Sequence, residues 1–263
     1  MSPLPVLFLS HGSPMHAIQP GAVRAVWQGI ARDMARPKAI LIASAHWETN
    51  IPALTGAAKP ETIHDFYGFP KPLYEVQYPA PGDPALAERA LGLLRSAGLP
   101  AAIDPQRGLD HGAWSPLLHM YPGADIPVVQ VAVQTELRTR HHVGLGKALA
   151  PLAAEGVLII GSGHMTHNLR ERRADREGGP LPYAAEFQEW VRQKIEARDL
   201  DSLADYRALN PHGVRAHPTD EHFLPLFVAL GAAGEGYGAE RLYDGIETGS
   251  LAMDAWRFRQ AAR

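Results

Sequence analysis

Residues 157–168 read VLIIGSGHMTHN: a short apolar run passes directly into glycines, a serine and two histidines. The segments PVLFLSHGSP (5–14) and AILIASAHW (39–47) follow the same plan. Continuous runs of Val, Ile and Leu bounded by turn residues are typical of strands buried on both faces of a parallel sheet. The predicted strands cover residues 5–10, 39–45, 126–134 and 157–161.

Amphipathic segments lie between the predicted strands. Apolar residues recur at helical spacing over 23–34 and 183–195, and Asp83 followed by Pro84 predicts the N-cap and first residue of another helix. Strands that alternate with helices pack as a parallel sheet with helices on both faces. We therefore predict one α/β domain over residues 1–263, a three-layer α/β/α arrangement around a mostly parallel sheet.

The composition excludes several kinds of protein. The chain has 263 residues, 13 histidines and no cysteine, which rules out disulfides, thiolate metal sites and cysteine nucleophiles. A net charge of −3 gives no reason to expect nucleic acid, and we interpret the polar segment 170–179 as a solvated loop. No apolar run reaches the roughly 18 residues of a membrane span, and no basic leader is present. We expect a cytoplasmic protein without membrane contact; a homodimer is possible.

Histidines follow three of the predicted strands. His11 comes directly after the first strand, His46 after the second, and His164 and His167 after the fourth. Open α/β sheets bind ligands at the carboxyl ends of their strands. Imidazoles at three strand ends therefore favour a shared metal site at this edge over three separate structural histidines.

Other histidines lie in turn-rich segments. His111 stands just before Ser115 and Pro116, which predict an N-cap and the first residue of a helix. His217 and His222 lie in HPTDEH (217–222), with His222 at or near the start of the next helix. The remaining histidines are interpreted as surface or structural residues, with His64 as a candidate for the pocket rim: His16, His64, His119, His141, His142 and His212.

Imidazole ligands without thiolates suit Zn, Fe, Cu or Ni. The chain lacks a His-Glu-x-x-His helix and a Gly-x-Ser-x-Gly elbow, and we attribute the glycines of GSG (161–163) to a tight turn. Because more histidines are available than a metal needs, a catalytic centre with open positions is favoured over a closed structural one. The residues indicate a mononuclear metal enzyme, hydrolytic or oxidative, in which Asp220 or Glu221 could add a carboxylate.

Six motifs occur in one order along the chain: SHGSPM (10–15), SAHW (44–47), HDFYGFP (64–70), LDHGAW (109–114), GSGHMTHNLR (161–170) and HPTDEHFLPLFVALGAAG (217–234). This series closely resembles the DOPA 4,5-dioxygenase branch of the class III extradiol ring-cleaving dioxygenases. The resemblance implies a non-haem metal enzyme that opens the ring of a catechol-type, DOPA-like substrate with O₂ and gives a muconic semialdehyde-type product.

The resemblance also implies roles for individual residues. His11, His46 and His222 match the metal ligands, and His167 matches the acid/base residue beside the metal, close enough to be a fourth ligand in zinc forms. His111 matches a catalytic residue that contacts substrate or oxygen. Fe²⁺ is the metal expected for activity, and an all-histidine set also suits Zn²⁺. An unperturbed imidazole pKa of about 6.5 would suit the acid/base role.

Several alternatives stay open at this stage. Glu221 is a reserve ligand, whereas His164 is left outside the ligand set. HDFYGFP (64–70) could form an aromatic pocket wall, a lid or only a packed loop. The competing functions are a zinc-dependent hydrolase on the same scaffold and a metal-binding protein without catalysis. The sequence does not indicate which catechol is the substrate, or which basic residue would bind a substrate carboxylate.

Overall fold

A computed structural model describes residues 3–19, 21–173 and 179–260, so residues 174–178 of the predicted polar loop lie outside the described part. The strands of the described chain are β1 (Val6–Ser10), β2 (Ala39–Glu48), β3 (Ala53–Thr55), β4 (Ala102–Asp104), β5 (Val128–Val133), β6 (Val157–Gly163), β7 (Gly238–Tyr243), β8 (Ile246–Glu247), β9 (Leu251–Ala252) and β10 (Ala255–Arg259). Eight of them form one sheet in the order β4-β3-β5-β2-β6-β1-β10-β7, and β8 pairs with β9.

The four predicted strands form the centre of this sheet. β1 and β2 both pair in parallel with β6, and β2 pairs in parallel with β5. The strands at the two margins of the sheet, β3 and β4 on one side and β7 and β10 on the other, were not predicted. β10 pairs antiparallel with β1, and β3 pairs antiparallel with β5. The expectation of a mostly parallel sheet is therefore confirmed, with antiparallel additions at its margins.

Helices lie between and beyond these strands. They are α1 (Val23–Arg32), α2 (Lys71–Tyr74), α3 (Pro84–Ser96), α4 (His111–Met120), α5 (Arg138–Leu149), α6 (Pro151–Ala154), α7 (Pro182–Ala197), α8 (Leu200–Ala204), α9 (Tyr206–Leu209), α10 (Gly213–Ala216) and α11 (Leu224–Ala233), with short 3₁₀ turns at Pro14–Ala17, Thr135–Leu137 and Leu169–Glu171. In α3 the prediction is confirmed: the Asp83 side chain accepts from the Leu86 N–H at 2.9 Å, and Pro84 is the first helical residue.

The two faces of the sheet bury separate cores. Successive side chains of a strand point to opposite faces. In β1, Phe8 packs in the cluster that includes Phe227 of α11, whereas Leu9 packs in the cluster that includes Trp27 of α1. Helices therefore cover both faces, as the α/β prediction requires.

The predicted helix start at Ser115 is wrong. Helix α4 begins five residues earlier, at His111 instead of Pro116, and the Asp110 carboxylate is its N-cap, accepting from the Ala113 N–H at 3.2 Å. Pro116 lies inside the helix instead of at its first position. The buried Asp110 decides the start because its position in the core is held by contacts from other elements, which local sequence preference cannot reveal.

β2 continues three residues beyond its predicted end. Its pairing with β5 shifts register between Ala43, opposite Val131, and Glu48, opposite Val133. The extra residues form an irregularity that contains His46, so this histidine lies within β2 and not after it. Bulges of this kind often re-aim a side chain beside an active site. Among the described residues, no helix is long and apolar enough to cross a membrane.

Stability should depend on pH through the buried His142. Its Nε2 accepts from the Gln134 N–H at 3.0 Å, its Nδ1 lies 2.5 Å from the Arg138 carbonyl oxygen, and burial lowers its pKa to about 3. Since the unfolded imidazole has a pKa of about 6.5, the unfolded chain binds this proton more readily. The stability that His142 contributes is complete above pH 6.5 or so and declines as the pH falls towards 3.

We expect His142→Gln to flatten the dependence of the unfolding free energy on pH. Between about pH 4 and pH 6 the slope should fall by nearly one proton, about 1.4 kcal/mol per pH unit. Denaturant titrations of both proteins across this range measure the slope. An unchanged slope would show that His142 does not titrate on unfolding.

Candidate metal centre

Three predicted ligands converge at the carboxyl edge of the sheet. His11 follows β1, His46 lies in the irregular part of β2, and His222 precedes α11. The Nε2 atom of His46 lies 3.1 Å from Nε2 of His11 and 3.2 Å from Nε2 of His222. All three potential ligand atoms lie within 4.8 Å of one another.

The second ring nitrogen of each histidine has a partner on the other side. The Nδ1 contacts are His11 with Ser162 Oγ at 3.0 Å, His46 with Asp65 Oδ2 at 3.2 Å, and His222 with Glu221 Oε1 at 2.9 Å. A carboxylate only accepts, so His46 and His222 donate from Nδ1 and keep the lone pair of Nε2. Two such lone pairs face each other between His46 and His222, an arrangement that a shared cation stabilises.

This donor set fits a bound metal ion. Two imidazole nitrogens that hold one tetrahedral ion at about 2.1 Å lie about 3.4 Å apart, close to the observed separations. Burial, and then neighbouring imidazoles, lower the pKa values of His11, His46 and His222 well below the usual range. All three are therefore neutral at pH 7, which is the state that metal binding requires.

His222 reaches the edge because β6 allows very close contact with the segment 222–225. A Cβ on Gly161 would lie 2.1 Å from the Pro225 carbonyl oxygen, and one on Gly163 would lie 2.2 Å from that of His222. The same His222 carbonyl accepts from the His164 N–H at 2.8 Å. The prediction of a tight turn at 161–163 is therefore wrong: both glycines belong to β6, and close packing of backbone on backbone excludes a side chain.

Asp65 joins the metal centre to His111. Its Oδ2 lies 2.8 Å from Nδ1 of His111, and its Oδ1 accepts from the His111 N–H at 2.8 Å. The ring of His111 lies 3.9 Å from that of His46. Burial would raise the pKa of Asp65, but the hydrogen bond from His111 and the electrostatic influence of the nearby His111 and His46 rings lower it to about 2.

The sequence reasoning missed Asp65 and Ser162. Asp65 is the single carboxylate residue of the aromatic motif HDFYGFP. Its position there was a signal from which it could have been predicted as a site residue. Ser162 lies between Gly161 and Gly163, and the sequence analysis attributed these two glycines to a tight turn. Neither motif indicates that these side chains would lie behind histidines far away in sequence.

His167 lies against His222 instead of joining all three candidate ligands. The two rings are stacked, with centroids 3.5 Å apart and an interplanar angle of 11°. His167, Glu221 and His222 form a second possible ligand group. This group has His222 in common with the group of His11, His46 and His222 but does not include His11 or His46. Burial, with a smaller effect of His111, lowers the pKa of His167 to about 4, so the expectation of an unperturbed value is wrong.

The residues kept outside the ligand set have other contacts. Nε2 of His164 accepts from the Gly12 N–H at 3.1 Å, and the Glu221 carboxylate lies behind His222. The other histidines lie in hydrogen-bonded or ion-paired positions: His16 with Glu247, His64 with Val76, His119 with His16, His141 with Gln134, His142 with Gln134 and Arg138, His212 with Glu186, and His217 with Met165.

The aromatic side chains of HDFYGFP (64–70) pack beside His111. The ring of Phe66 lies 5.7 Å from that of His111 and also packs on Phe69 and Tyr74, at 5.3 Å and 5.2 Å. Tyr67, next in the chain, is 92% exposed. Phe66 is therefore buried next to His111, while Tyr67 projects into solvent.

Comparison with known proteins agrees with an α/β enzyme built around a histidine centre. The chain is 44% identical over 255 residues to a 4,5-DOPA dioxygenase extradiol of Beta vulgaris, covering 95% of each chain. It is 40% identical to a protein of the same name from Escherichia coli K12, covering 95% of this chain and 93% of that one. A crystal structure of an uncharacterised E. coli K12 protein superposes with a TM-score of 0.82 at 34% identity, covering 97% and 99% of the two chains.

These similarities define the class as ring-opening dioxygenases. Residues 5–249 match the family described as the catalytic LigB subunit of aromatic ring-opening dioxygenase, and the chain belongs to that family. It is therefore an enzyme that uses a non-haem metal, an aromatic substrate and O₂. The relatives give the zinc-hydrolase alternative no support.

We expect Gly163→Ala to displace His222 and weaken metal binding about tenfold or more, the scale on which misaligned ligands lose affinity. Titration with Zn²⁺ against a chromophoric chelator measures the effect. Gly92→Ala is the matched control because a Cβ on Gly92, in α3, would meet nothing within 4 Å. Equal affinities of the two variants would contradict the packing role of Gly163.

Proposed function

We propose that this enzyme is an extradiol dioxygenase that opens the ring of a DOPA-like catechol with O₂ to a muconic semialdehyde-type product. The carrying observation is the set of three buried imidazoles whose Nε2 atoms converge while each Nδ1 has a partner behind it. The names of the relatives from Beta vulgaris and Escherichia coli support extradiol cleavage and a DOPA-like substrate.

His11, His46 and His222 would hold the metal, with Fe²⁺ for activity and Zn²⁺ as a second ion that suits the same ligands. When bound, the ion lowers the pKa of a catechol hydroxyl and brings the diol and O₂ to one centre. Asp65 and Glu221 would orient His46 and His222, in the way that carboxylates behind zinc-bound histidines fix ring position.

His167 would be the acid/base residue. Its ring lies on His222 and is neutral at pH 7, because burial lowers its pKa to about 4. A neutral imidazole accepts the proton of a catechol hydroxyl, and the resulting imidazolium, disfavoured by burial, returns it readily. The low pKa makes His167 a better proton donor after this step than an exposed histidine.

His111 would act beside the substrate. Its Nδ1 donates to the Asp65 carboxylate, so Nε2 is the ring nitrogen left for contact with a substrate. His111 and Phe66 together form a buried wall with one polar atom, which suits an aromatic ring that carries hydroxyl groups.

Oxygen consumption tests the proposed reaction. The enzyme is loaded anaerobically with Fe²⁺, and DOPA or a simple catechol is added while O₂ uptake and visible absorbance are recorded. We expect uptake of one O₂ for each substrate molecule, with a new yellow product. Absence of uptake with every catechol, from enzyme that has bound its metal, would refute the proposal.

His167→Ala separates the acid/base role from ligation. We expect turnover to fall about 10²- to 10⁴-fold, the usual contribution of a general acid or base, while one metal ion per chain is retained. Metal analysis and O₂ uptake on the same sample measure both. His212→Ala, which removes a histidine paired with Glu186 at 2.7 Å, is the control. Loss of the metal from His167→Ala would make His167 a ligand.

A further inference from the structure

Of the three groups that lie behind the candidate metal ligands, the one behind His11 is not a carboxylate. His46 and His222 contact Asp65 and Glu221, whereas Nδ1 of His11 contacts the hydroxyl of Ser162. A carboxylate fixes the tautomer of its histidine because it only accepts. A hydroxyl both donates and accepts, so by itself it leaves the tautomer of His11 undecided.

A second contact of Ser162 removes this ambiguity. Its Oγ lies 2.5 Å from the carbonyl oxygen of Gly112, which only accepts. The single hydroxyl proton is therefore donated to Gly112. The contact between Ser162 and His11 is then made with the proton of His11 Nδ1, and the lone pair of His11 remains on Nε2, towards the other two ligands.

The Gly112 carbonyl is available because of Pro116. In an α-helix the carbonyl of residue i accepts from the N–H of residue i+4, and proline has no N–H. Pro116 lies inside α4, four residues after Gly112. Pro116, which lowers the stability of the helix, thus leaves the Gly112 carbonyl oxygen free to accept the hydroxyl proton of Ser162.

We propose that Ser162 is a positioning residue of the metal centre: its hydroxyl, turned by the carbonyl that Pro116 leaves free, holds His11 with its proton on Nδ1. The backbone assists, since the His11 N–H donates to Gly163 at 3.1 Å and the Gly12 N–H donates to His164 at 3.1 Å. These two contacts hold the chain in place, and only Ser162 sets the proton on the ring. The inference rests on the proposed metal-binding role of His11.

A measurement of metal affinity tests the role of Ser162 and does not depend on catalytic turnover. We expect Ser162→Ala to bind Zn²⁺ about 10- to 100-fold more weakly than the wild-type enzyme, the range for loss of a partner behind a metal-bound histidine. Ser115→Ala is the matched control because Ser115 is equally buried, lies in α4, and its Oγ has no hydrogen-bond partner among the described residues. Equal affinities of the wild type and Ser162→Ala would overturn the inference.

The tautomer itself can be observed in the wild-type enzyme. Long-range ¹H–¹⁵N spectra of the metal-free protein, labelled at histidine, should show the His11 proton on Nδ1, and Ser162→Ala should lose this preference. A proton on Nε2 in the wild type would overturn the inference even if the variant fails to fold. If the wild type binds no metal, the proposed function fails, whereas the tautomer still tests Ser162.

Discussion

Repulsion between imidazole lone pairs is the constraint on which this site depends. The Nε2 atoms of His11 and His222 lie 3.1 Å and 3.2 Å from that of His46, and their other nitrogens donate to groups behind them. Neutral rings in this orientation oppose one another unless a positive charge lies between them. The surrounding structure must therefore hold the rings in place before metal binding, and much of the carboxyl edge of the sheet serves that purpose.

The groups behind the rings also adjust the charge of the site. Three histidines bring no negative charge to a divalent ion. Asp65 and Glu221 contact the Nδ1 atoms of His46 and His222. They therefore supply negative charge close to the metal site without being ligands themselves. Asp65 in addition contacts His111, so one carboxylate joins a metal ligand to a residue on the substrate side.

Close packing determines where these groups meet. The side chains of α11 are apolar on every side and all of its residues are buried, which is typical of a helix enclosed in the core. Its first turn and the residues just before it approach β6 so closely that Gly161 and Gly163 have no room for a side chain. His222, just before this helix, is held at the end of β6 by the same contact, so the core and the site share their packing.

The sequence by itself determined the central sheet, the helices α1, α3 and α7, and the histidines at the sheet edge, because strand and helix periodicity and strand-end positions are local features. The start of α4, the irregular end of β2 and the reason for the glycines of β6 were decided by tertiary structure. Asp110 is fixed by Ser44 and Gln130, which are distant in sequence. The roles of Asp65 and Ser162 also depend on partners 19 to 151 residues away, and local sequence preferences carry no information about such contacts.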